Sequence, residues 1–111
     1  MDRDNIVETV LGAALFAAGR GAKGLRIDLD AVQLFRQRFQ PLVRSAVDDP
    51  DWYRKWLEEQ PYVVVQAEAM GRTAAQLAAQ DGRVRISGRD VEIAMLKLRG
   101  RLPIAGRWCP F

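Results

Sequence analysis

In the second half of the chain, apolar and small residues fall at Val63, Ala67, Met70, Ala74, Leu77 and Ala78. Steps of three and four place them on one face of a helix, not on alternate sides of a strand. Gly71, Ala75 and Ala79 lie on the same face or its edge. Small side chains let a neighbouring backbone come close, so this rod is expected to be central and touched on more than one side. Pro61 suits its first turn, where a missing N–H is no loss. Asp81-Gly82 ends it, with Gly82 in the left-handed C′ conformation. Arg83 to Ile86 alternates polar and apolar, as a short strand or extended connector does. Ser87 is a good N-cap with Asp90 three residues on, the spacing of a capping box. Val91, Ala94, Met95 and Leu98 form the buried stripe of a last helix that Gly100 stops.

The first half repeats this grammar. Ile6, Val7, Val10, Leu11, Ala14 and Ala18 share a face of a helix over residues 5–18, capped by Asp4 or Asn5. Gly19-Arg20-Gly21-Ala22-Lys23-Gly24 matches G-x-G-x-x-G, but a helix precedes these glycines and an extended piece follows. A dinucleotide loop needs the reverse order, so the stretch is expected to be a helix-terminating loop. Leu25-Arg26-Ile27 is extended. Asp28 caps a helix with stripe Leu29, Val32, Phe35 (or Arg36), Phe39, Leu42 or Val43, and Ala46, which Pro41 should kink or end near Gln40. Asp49 as N-cap and Pro50 at the first position start a short helix over residues 51–60. Its Trp52, Tyr53, Trp56 and Leu57 form a compact apolar face, either core cover or a stacking platform for bases.

A weak internal repeat runs through both halves. Ile27-Asp28-Leu29-Asp30-Ala31-Val32 lines up with Ile86-Ser87-Gly88-Arg89-Asp90-Val91; each has Arg before the Ile and opens a helix. The two Arg-Ile segments are candidates to pair, within the chain or between chains; helices must cover so short a pair. The expectation is an all-α fold: one domain over residues 1–101, about five helices, a helix–strand–helix unit over 52–99 and a tail over 102–111.

Composition narrows the chemistry. The chain has no histidine, which removes the commonest general base and transition-metal ligand, and its lone cysteine, Cys109, excludes a Cys/His zinc site. Asp48-Asp49-Asp51 lacks the spacing of a calcium loop and is explained by helix capping. No catalytic residue, metal or cofactor is expected. Residues 6–18 are too short for a membrane span and follow acids, unlike a signal peptide, so a cytoplasmic, reducing setting is expected.

Charge is uneven. Residues 1–81 carry a net −2 and residues 82–111 a net +5. A basic end on a near-neutral body suits nucleic-acid phosphates or an acidic partner; basic side chains also simply solvate a helix end.

The pattern Ala-x-x-x-Gly-Arg-x-Ala…Asp-Gly-Arg-Val-x-Ile-x-x-Arg-Asp-Val-x-x-Ala over residues 67–94 resembles the second half of a histone fold. The resemblance implies DNA phosphates met near loops and helix N-termini, here Arg26, Arg83, Arg85 and Arg89. Trp52…Leu57-x-x-x-Pro61-Tyr62-Val63-Val64 is similar to the C-terminal helical module of the light-independent protochlorophyllide reductase B subunit. That likeness implies an assembly module docking on a larger protein. The tail residues Trp108 and Phe111 are its candidate partner contacts, because Leu102 to Phe111 is too apolar for a solvated end. A non-enzymatic binding module is expected under either likeness. Homodimerisation is expected too, since one helix–strand–helix unit alone leaves apolar surface uncovered.

Overall fold

A computed structural model describes residues 3–99, apart from the side chains of residues 42, 46, 55, 59, 60, 62 and 63. The described residues form α1 (Arg3–Ala22), β1 (Arg26–Ile27), α2 (Leu29–Val47), α3 (Trp52–Gln80), β2 (Arg85–Ile86) and α4 (Gly88–Leu98). The fold is all-α, built from two helix–strand–helix units. Their strands pair in parallel within the chain, with Arg26 beside Arg85 and Ile27 beside Ile86. This is the register of the sequence repeat. Each unit turns from helix to strand through a left-handed backbone, at Lys23-Gly24 in the first and Gly82 in the second. At the second turn Arg83 N–H donates to the Ala78 carbonyl and Gly82 N–H to Ala79, a Schellman closure that only a left-handed C′ residue permits.

The alanine-rich rod is central. Ala67, Met70, Gly71, Ala74 and Ala78 of α3 are all buried. Gly71 packs on the Ala18 backbone and Gly21 on the backbone from Glu68 to Arg72; a Cβ at either glycine would collide with a carbonyl oxygen of the other helix. Ile6 and Val10 meet Trp52 and Trp56 near the starts of the same helices, so α1 and α3 run in the same direction. α2 returns antiparallel to α1, as the cross-helix pairs Glu8–Arg36 and Asp4–Arg44 require. Phe35 and Phe39 stack with ring centroids 4.2 Å apart on the buried face of α2. Ile27 and Ile86 enter the core from the strands.

Several sequence expectations change. The described residues contain four helices, because the segments expected over 51–60 and from Pro61 onward form one, α3. Pro61 sits inside it with its ring exposed. Pro41 likewise lies within α2, which runs on to Val47. Burial along α1 outweighs the single backbone hydrogen bond each proline forfeits. α1 runs through Gly19-Arg20-Gly21, so those glycines belong to a helix and not a loop; Gly21 is needed for close packing against α3. The core face of α2 is Ala31, Phe35, Phe39, Val43 and Val47, while Leu29 is 71% exposed. Asp51, not Asp49, is the N-cap of α3, and it makes no side-chain cap bond; Asp49 instead accepts from Asp51 N–H at 2.9 Å. The expected capping box of α4 is present in full.

Candidate functional site

The paired strands bring Arg26, Arg83, Arg85 and Arg89 to one end of the molecule, but not as four free cations. Arg83 grips Asp90 with two hydrogen bonds of 2.7 Å, and its Nη2 also reaches Asp81 at 3.1 Å. Asp90 further accepts from Ser87 N–H at 2.9 Å and Ser87 Oγ at 3.1 Å, and it is only 3% exposed. The Arg83 guanidinium, with the Ser87 donors adding to it, holds the Asp90 carboxyl down to about 2 despite burial, which opposes ionisation. Arg83 is pushed above its usual value by the same bonds to Asp90 and Asp81. Arg83 is therefore part of the framework that fixes the loop before β2.

Arg85 donates from Nε to Asp28 Oδ1 at 2.6 Å, tying the second strand to the start of α2. Asp28 N–H in turn donates to the Ile86 carbonyl at 2.9 Å. Arg26 and Arg89 are exposed and make no ion pair with the described residues. Lys23, Arg26, Arg83, Arg85 and Arg89 thus share this end with Asp28, Asp30, Asp81 and Asp90. The surplus is one positive charge.

The opposite end carries a second surface. Ile6, Thr9, Val10, Trp52, Tyr53 and Trp56 line a mostly apolar depression of about 210 Å³ between α1 and the first turns of α3. Trp52 and Tyr53 meet edge-on, 5.5 Å between centroids and 78° between planes, which presets the wall. Tyr53 and Leu57 are 61% and 55% exposed. The aromatic run therefore covers the core with Trp52 and Trp56 while leaving Tyr53 and Leu57 outward.

Trp108 and Phe111 lie outside the described residues, as do Gly100 and Cys109. Among the described residues no three acidic or sulfur side chains gather as metal ligands, and no helix is long and apolar enough to cross a membrane.

The sequence named these arginines as lying near loops and helix N-termini but missed both their gathering at one end, which the strand pairing creates, and their acids. Asp90 was legible as the capping acid, and Arg83 stands seven residues before it. The Arg85–Asp28 pair depends on strand register and had no local signal. Phe16, 69% exposed, was also missed, although it stands outside the apolar stripe of its helix.

The fold and these two surfaces define a small all-α domain made of two helix–strand–helix units closed on each other. Comparison with family models, with curated proteins and with solved structures finds no match for the chain.

Proposed function

We propose that the protein is a non-enzymatic docking module that takes an apolar helix of a larger protein into the depression between α1 and the start of α3. The observation carrying this reading is the outward placement of Tyr53 beside Trp52 and Trp56 in the lining of a preset apolar depression, with Leu57 exposed one turn further along α3. Aromatic anchors beside a groove between two helices suit a partner that inserts the apolar face of its own helix. The likeness of the Trp52–Val64 stretch to a module appended to a larger enzyme supports the same reading.

A photo-crosslinking residue at position 53, with position 76 as an exposed control, identifies the partner in cells. The purified partner then binds at least tenfold more weakly to Trp56→Ala and unchanged to an Arg26→Ala/Arg89→Ala pair. Equal crosslinking from both positions, or a partner indifferent to Trp56, rejects the docking face.

A second reading, contact with nucleic-acid backbone at the paired-strand end, is favoured by Arg26 and Arg89 alone, since both stand exposed there without an acidic partner among the described residues. It calls for weak, sequence-tolerant binding with a shallow salt slope of about two released counterions. Binding that survives Arg26→Glu with Arg89→Glu removes this reading.

A further inference from the structure

The outer face of α1 has no neighbour among the described residues, yet the helix is apolar on almost every side. From Thr9 to Gly19 it contains no charged residue. Ile6, Val7, Val10, Leu11, Ala14, Ala17 and Ala18 face the core. The opposite arc, Thr9, Gly12, Ala13 and Phe16, is exposed. A helix with one wet side ordinarily places its polar residues there.

Glu8, Gly12, Phe16 and Arg20 stand four apart and form a single ridge along that arc. In order they are an acid, a notch, a knob and a base. The notch is open, for a Cβ on Gly12 would meet nothing within 4 Å. Phe16 is the knob, and the Arg20 guanidinium carbon lies 5.7 Å from the centre of its ring.

We infer that this ridge is a self-association surface, on which a second copy of the chain pairs antiparallel about a twofold axis near position 14. Reversing the order acid–notch–knob–base gives its own complement, which is what a twofold interface demands of one surface. Each Phe16 then enters the partner's Gly12 notch, and each Glu8 faces the partner's Arg20, twice over. Such ridges incline about 26° to their helix axes, so aligning two of them crosses the helices near 50°, the commonest packing class. Within the chain Glu8 accepts from Arg36 at 2.7 Å and Arg20 donates to Glu68 at 3.4 Å. These bonds steady the charged ends of the ridge without using every acceptor of the carboxylate or every donor of the guanidinium. The dimer expected from an uncovered helix–strand–helix unit has a different basis here. That unit is covered by its sister in the same chain, whereas the α1 ridge is covered by nothing described.

Sedimentation velocity from about 5 to about 200 µM protein spans the affinity expected of so small an interface. The native chain shifts from monomer to dimer across that range, and both Phe16→Glu and Gly12→Gln remain monomeric. Both positions are open to solvent, and a far-UV melt checks that each variant folds; either one alone suffices to test the surface. A native chain that stays monomeric throughout overturns the inference. So does a dimer that persists in a folded Phe16→Glu or Gly12→Gln variant, because the knob and notch must act together.

Discussion

Replacing Asp90 by Asn isolates the charge that closes the second helix–strand–helix turn. The carboxylate receives both Arg83 nitrogens at 2.7 Å, and these bonds make its ionised form strongly preferred although the group is almost wholly buried. Its carboxyl sits at about 2, against an ordinary 3.8. A group whose folded value is depressed contributes stability that is complete above the unfolded value and declines as pH falls toward the folded one. The separation is worth about 2 kcal/mol at neutral pH, all present above about pH 5 and roughly halved by pH 3. Asn keeps an acceptor for Ser87 N–H but loses the charge, so at pH 7 it should cost about 2 kcal/mol and lower the melting temperature by about 10 °C. Urea unfolding of both proteins from pH 7 to pH 3 measures the difference. The gap should narrow steadily below pH 4, because protonation removes from the native protein what Asn removes from the variant. A gap of constant size over that range would show that Asp90 acts through shape or capping alone, and the ion-pair argument would fail.

The crossing of α1 on α3 predicts opposite fates for two glycines. Gly71→Ala drives a methyl into the Ala18 carbonyl and should cost about 3 kcal/mol or more. Gly12→Ala, in open space, should instead gain about 0.5–1 kcal/mol from helix propensity. Denaturant midpoints that move together in the two variants would contradict the close approach. Pro61→Ala restores a backbone donor inside a continuous α3 and should raise stability by about 1–3 kcal/mol; no gain would mean that a helix starts at the proline after all. Arg85→Ala breaks a pair that is largely solvent-exposed on the arginine side and should cost less than about 1 kcal/mol, checked by the same unfolding curves.

Much of this protein could be read from local pattern. The face Ala67-Met70-Ala74-Ala78, the left-handed Gly82, the Ser87–Asp90 capping box and the Val91-Ala94-Met95 stripe each depend on residues within a few positions of one another, and each occurs as the sequence indicates. The equivalence of Ile27 and Ile86 was also visible, because a repeated strand opening leaves a repeated sequence. The two prolines misled for a physical reason. Pro41 and Pro61 weaken a helix locally, but the packing that holds α2 and α3 together is contributed by other segments. The sites were harder still. A run of sequence shows that arginines gather near residues 83–89, not that Arg85 meets Asp28 fifty-seven positions away. That pairing is created by the parallel strand register.

What the sequence determined alone was the set of elements and their turns, since these follow from short-range periodicity and from backbone conformations that few residues adopt. What the tertiary structure decided was which charges are spent and which faces stay open. Arg83 and Arg85 lose their freedom, and Tyr53, Leu57 and Phe16 keep theirs, because neutralisation and burial depend on neighbours that only the folded chain brings into contact.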